Sequence, residues 1–157
     1  MEKMYREKTA SYTFELPLRL ASIVSDSQDS RKLAEIGRNL GVLFQIRDDH
    51  IELFSNGETG KPDLSDIMQN KKTVHRRKLL EKAGNPEQIK GKMEGETSRE
   101  EAEEVLESFR ENDVEEVMRQ EIRERKSRLE KKIQELENGG LSELLHDVVE
   151  MVVERQK

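Results

Sequence analysis

The chain contains no cysteine, which rules out both a disulfide frame and a thiolate metal site. It has no tryptophan, and aromatics make up 4%. Hydrophobic residues reach only 32% against 39% charged, a thin apolar supply for a domain of 157 residues. Such a balance suits helices wet on one face, or a subunit that completes its core against a partner. A basic excess is also missing: the net charge is -6 and the pI about 5.3, so no nucleic-acid partner is expected. No apolar run approaches the roughly 20 residues that span a bilayer, and the N-terminal residues hold no signal-peptide hydrophobic region. The expectation is a soluble, cytoplasmic protein that is not integral to a membrane.

What is present is helical periodicity almost everywhere. Residues 3–24 carry Leu16, Leu20, Ile23 and Val24 at helical spacing, with a kink predicted at Pro17. Asp29 or Ser30 caps a helix to about Phe54, whose apolar residues cover more than one face and predict a central, buried element. Gly37 and Gly41, four apart, mark a groove on it, read as close helix packing in preference to room for a ligand tail. Residues 55–64 read as a loop, 71–83 as a short basic helix, and 84–97 as a mobile Gly- and Lys-rich segment. Thr97 or Ser98 then starts a helix to about Arg110, and Asp113 one to about Glu137, ended by Asn138-Gly139-Gly140. A clean i, i+3, i+4 pattern from Leu141 to Val153 closes the chain. No segment reads as a strand. The expected architecture is one all-α domain over 1–157, a helical bundle.

The chemistry concentrates between Phe44 and Thr73. On a helix Asp48 and Glu52 share a face, Asp49 lies beside them, and Gln45 is one turn earlier. Oxygen ligands of this kind suit Mg²⁺, which takes one or two carboxylates with phosphate and water. A diphosphate bridged by that ion keeps excess negative charge, which Lys61, Lys71 and Lys8 could neutralise. Most acidic triplets are solvated helix faces; this one gains weight by sitting on the most apolar helix of the chain. Carboxylates this close disfavour full ionisation, so at least one is expected to titrate above its ordinary value. His50, His75 and His146 are too scattered for a metal set and are read as surface residues.

At these residues the chain resembles the trans-type polyprenyl diphosphate synthases. FQIRDDHIE is similar to the family's second aspartate-rich motif, with Glu52 in place of its last aspartate. GKPDLSDIMQNKKT matches the family's following Gly-Lys, Asp and Lys at Gly60, Lys61, Asp66 and Lys71, and YREKTASYTFELPLRLA looks like its Lys-Thr helix. The resemblance implies a partial isoprenoid-synthase fold, with 1–75 as the diphosphate and metal half and 76–157 as peripheral helices. It implies a prenyltransferase that joins isopentenyl diphosphate head-to-tail to an allylic diphosphate, with Mg²⁺ as cofactor. Asp48, Asp49 and Glu52 would hold the ion, supported by Asp66. Lys8, Lys61 and Lys71 would bind diphosphate, and Thr9 and Gln45 would line its reacting end.

The family's first aspartate-rich motif precedes the Lys-Thr helix and has no counterpart here. The expectation is a half-subunit, inactive until a partner chain supplies that motif, or a homo-oligomer. The alternatives are a non-catalytic helical scaffold or regulatory subunit, and a truncated fragment of a longer synthase.

Overall fold

The computed structural model describes residues 2–55 and 64–155, with the side chains of Glu2 and Lys8 left out. The described residues contain no strand, and the all-α expectation holds. The chain divides into two compact units. One is Met1–Arg47 with Glu121–Lys157, the other Asp48–Gln120.

The first unit opens with α1 (Glu2–Tyr5), a π-helical segment (Arg6–Glu15) and α2 (Leu16–Val24). The predicted helix is therefore continuous in extent but not α-helical throughout. Leu16 N–H bonds back five residues to the Ser11 carbonyl, as a π-helix requires. Pro17 stands in the first turn of α2, where its missing N–H costs least, so the irregularity falls before it.

Next comes α3 (Ser30–Phe54), which buries Leu33, Ile36, Leu40, Leu43 and Ile46 in this unit. Gly37 and Gly41 are covered by the π-helical backbone. A Cβ on Gly41 would lie 2.4 Å from the Ala10 Cα, and one on Gly37 2.7 Å from the Glu15 Cα. The groove is filled by a helix, as the packing interpretation held. Arg38 Nη1 locks the same contact through Glu15 Oε1 at 2.8 Å.

Asp29 is occupied differently from a plain cap. Its carboxylate accepts from Glu137 N–H at 3.1 Å and pairs with Lys32 at 2.8 Å. The remaining core comes from α8 (Val114–Gln134) and α9 (Gly139–Glu154), through Ile122, Leu129, Ile133, Leu145, Val149 and Val152. Asn138-Gly139-Gly140 starts α9 instead of merely ending α8, because the Asn138 side chain accepts from Leu141 N–H at 3.0 Å.

The second unit takes the C-terminal end of α3, then α4 (Ser65–Met68), α5 (Val74–Lys82), α6 (Pro86–Lys92), α7 (Arg99–Glu111) and the start of α8. Thr73 caps α5 by accepting from Arg76 N–H, so Lys71 precedes that helix and does not belong to it. The segment read as mobile is largely α6: Pro86 opens it at the first position, and Ile89 and Met93 are buried among its lysines. A capping box between Ser98 and Glu101 starts α7, which packs on α4 and α6 and buries Ala102, Val105, Leu106 and Phe109.

Candidate metal centre

Each unit carries part of the predicted set. In the first, Thr9 Oγ1 donates to Gln45 Oε1 at 2.8 Å across 36 residues of sequence. Lys8 lies in the π-helical segment, and its side chain is outside the description. Lys61 also lies outside the described residues.

In the second unit, ligand oxygens of Asp49, Glu52 and Asp66 all lie within 4.8 Å of one another. Asp49 and Glu52 are brought together by one turn of α3, and Asp66 by the first turn of α4. Into this group reaches Lys71. Its Nζ is 2.8 Å from Asp66 Oδ2, 2.9 Å from Glu52 Oε2 and 3.3 Å from Asp49 Oδ1. Asp48, one residue from Asp49 and so about 100° around the helix, is not in the converging group. The grouping thus exchanges one aspartate of the adjacent pair for Asp66.

Several features fix the position of Lys71. Its own N–H donates to the Asp66 carbonyl at 2.9 Å, and Asn70 before it has a positive φ of 51°. That left-handed residue turns the chain back toward α3, a conformation asparagine tolerates better than most.

The electrostatics follow from burial. Asp49 is 1% exposed. The Asp66 carboxyl is pushed up to about 6: burial raises it most, Lys71 opposes, and a hydrogen bond with Glu52 adds to the rise. Burial works against the Lys71 ammonium, but hydrogen bonds to Asp66 and Glu52 outweigh it and its pKa is raised. Beneath the cluster is a cavity of about 10 Å³, the room one water needs, lined by Asp49, Asp66, Lys71, Thr73 and Arg76 among others. Arg76 is 8% exposed, and its buried Nε has no hydrogen-bond partner.

Two histidines read as surface residues are instead buried, His50 at 3% and His75 at 0% exposure. They lie 25 residues apart and face each other, so nothing local in the sequence marks the pair. Phe54 packs against both rings, at 4.9 and 6.0 Å between centroids.

The donor set fits a hard divalent cation. Three carboxylates supply oxygen only, the ligand type Mg²⁺ and Ca²⁺ take, with no nitrogen or sulfur donor among them.

A family model for polyprenyl synthetase matches residues 1–111. The geranylgeranyl diphosphate synthase of Saccharolobus solfataricus is 39% identical over 88 residues, 54% of this chain and 26% of that protein. The farnesyl pyrophosphate synthase of Candida albicans is 39% identical over 67 residues, 41% of this chain and 19% of its own. Among solved structures, a geranylgeranyl pyrophosphate synthase gives a TM-score of 0.86 at 23% identity, covering 99% of this chain and 51% of that one. The Corynebacterium glutamicum geranylgeranyl pyrophosphate synthase, complexed with isoprenyl diphosphate and magnesium, gives 0.83 at 24%, covering 99% and 46%. At these identities the structural likeness speaks to the helical fold alone. The chain spans about a quarter of the Saccharolobus relative and about half of the solved chains. With the family model matched over residues 1–111 and the helical fold in agreement, the chain belongs to the polyprenyl synthetase family.

Proposed function

We propose that the chain supplies the metal and diphosphate half of a prenyltransferase site, for head-to-tail joining of isopentenyl diphosphate to an allylic diphosphate. The observation that carries this is the convergence of Asp49, Glu52 and Asp66 on the Lys71 ammonium. Oxygen donors for a cation and a lysine for phosphate, at one place, are what a metal-bridged diphosphate needs.

In this reading Asp49, Glu52 and Asp66 hold Mg²⁺, with Asp48 as a further carboxylate of the set. Bound Mg²⁺ supplies neutralising charge to the diphosphate. Lys71, with Lys8 and Lys61, grips diphosphate oxygens and stabilises the negative charge that grows as the leaving group departs. The Thr9 hydroxyl donates to the Gln45 amide oxygen, and in this reading both residues line the reacting end of the substrate.

The rest of the reacting cavity comes, in this proposal, from a partner chain carrying the other acidic motif. Support lies in the apolar surface that α2 leaves open: Leu16, Leu20, Ile23 and Val24 are 48, 53, 65 and 88% exposed. Contiguous apolar surface of that kind marks an interaction face.

A prenyl-transfer assay tests the reading. The purified chain should turn over allylic and isopentenyl diphosphate only when mixed or co-expressed with a chain bearing a first aspartate-rich motif. Asp49→Asn should lower that activity at least about 10-fold, as loss of a contact around the metal does. Absence of transfer in every such mixture would defeat the proposal.

A further inference from the structure

We infer that the outer side of α9, with the cavity at its N-terminal end, is a docking surface for a basic amphipathic helix of another chain. The inference stands apart from the metal site and from the open face of α2.

α9 carries three lines of side chains where an ordinary surface helix carries two. Leu145, Val149 and Val152 are buried in the first unit. A second apolar line, Leu141, Leu144, Val148 and Met151, runs beside them at i, i+3, i+7 and i+10, the spacing of a helix-docking seam. Leu141 and Val148 are half-buried, whereas Leu144 is 58% and Met151 74% exposed. The third line is acidic: Glu143, Asp147, Glu150 and Glu154 follow one another a helical turn apart.

This acidic line sets α9 apart from its neighbours. α7 and α8 lace their acids with cations, as in Arg99–Glu103, Arg119–Glu115 and Arg125–Glu121. No lysine or arginine occurs from Gly139 to Glu154. Lys126 of α8 pairs with Glu150 and attracts Glu154. Glu143 and Asp147 have neither an ion pair nor a hydrogen bond among the described residues. Like charges four apart oppose a helix, so α9 forms against this repulsion. Cations from outside would relieve it.

The seam runs into a cavity. Leu141 lines a space of about 290 Å³ together with Leu18, Ala21 and Leu33, and Asp29 and Glu137 supply its acidic side. Such a place takes a lysine or arginine of a docked helix, its aliphatic stem against the leucines and its charged head toward Glu137. Leu16, Leu20 and Ile23 do not line it, so this is not the surface that α2 presents.

Charge selects the occupant. Two copies of α9 packed antiparallel would set acidic line against acidic line, and packed parallel would offer it no cation. An anionic membrane would repel it. A helix with apolar residues at the seam spacing and lysines or arginines along one flank satisfies the seam, the acidic line and the cavity together.

The probe is a synthetic four-turn helix with leucines at the seam spacing and lysines along one flank; a second peptide carries glutamates in their place. Fluorescence anisotropy of each labelled peptide is followed as the intact chain is added, for wild type and three double variants, each checked for a cooperative melt. Wild type should bind the lysine peptide at least about tenfold more tightly than the glutamate peptide. Leu144→Ser with Met151→Ser should weaken that binding at least about tenfold. Glu143→Lys with Asp147→Lys should reverse the preference. Glu94→Lys with Glu96→Lys makes the same change in net charge at exposed positions of the second unit and should bind as wild type.

Binding untouched by Leu144→Ser with Met151→Ser would overturn the inference. So would equal losses in the two lysine double variants, which would reduce the effect to net charge. A wild type that binds both peptides equally, or neither, overturns it even if no variant folds. Self-association, or binding to phosphatidylserine vesicles, that Leu144→Ser with Met151→Ser abolishes would name a different occupant and overturn it too.

Discussion

His75 Nε2 lies 3.2 Å from His50 Nδ1, and the other ring nitrogen of His75 is buried without a partner. An unsatisfied buried N–H costs about 1–3 kcal/mol, more than a bare lone pair does. Placing the His75 proton on Nε2, donated to His50, leaves Nδ1 as the bare position. This tautomer follows from the hydrogen-bond geometry and not from an observed hydrogen.

The first prediction concerns acid stability. Burial above all, then His50 and Lys71, holds the His75 pKa down to about 3. Unfolded, it titrates near about 6.5. Between these values the unfolded chain binds a proton that the native chain refuses, so the His75 contribution is full above the unfolded value and drains away as pH falls. Asp66 has the opposite sign: raised to about 6, it favours the fold below its unfolded value and loses that contribution as pH rises through 6. From pH 7 to 5, His75→Leu should lose less melting temperature than wild type, and Asp66→Asn should lose more. Parallel pH profiles for His75→Leu and wild type would refute the His75 account.

The second prediction tests the contact between α3 and the π-helical segment. Gly41→Ala places a methyl 2.4 Å from Ala10 backbone and should cost at least about 1–3 kcal/mol. Gly84 has open space around it, so Gly84→Ala should change stability by less than about 0.5 kcal/mol. Denaturant melts of the two variants check the contrast. A Gly41→Ala protein as stable as wild type would show that the two helices are not seated as described.

A third prediction addresses the open face of α2. Wild type should associate, and Leu20→Glu combined with Ile23→Glu should shift it toward monomer, because both side chains are more than half exposed on one face. Sedimentation velocity decides this. A monodisperse wild-type monomer would overturn self-association through that face.

The fourth is local. Ser98 and Glu101 exchange two hydrogen bonds at the start of α7, of 3.2 and 2.8 Å. Ser98→Ala should destabilise by about 1 kcal/mol, whereas Ser108→Ala, inside the same helix and with its hydroxyl bonding only the Glu104 carbonyl, should stay within about 0.5 kcal/mol. Equal losses would argue against the box.

What could be read in advance was whatever depends on local pattern. The extent of α3, the Ser98 start of α7 and the stripe of α9 follow from periodicity and capping chemistry. The lysines and glycines around Ile89 and Met93 disguised α6, although Pro86 stands in its first turn. The burial of His50 and His75 was not legible, because each is the other's partner from 25 residues away. The carboxylate cluster was legible in most of its members: Asp49, Glu52, Asp66 and Lys71 were all named from the sequence through the resemblance, and they converge. Pattern joins Asp48 to Glu52, but the turn at Asn70 and the position of α4 put Asp66 and Lys71 beside Asp49 and leave Asp48 outside the converging group.

The π-helical segment also acts as a phase adjuster. A ladder that reaches back five residues turns the chain less per residue than one that reaches back four. One unbroken rod can then present Ala10 inward against Gly41 and, two turns on, Leu20 and Ile23 outward. Deleting a single residue from 6–15 with the wide ladder kept would rotate everything downstream by the turn of one residue, somewhat under about 100°. Length changes in this stretch should therefore be selected against far more strictly than substitutions, since the register of an interaction face is set by how many residues the wide turns hold.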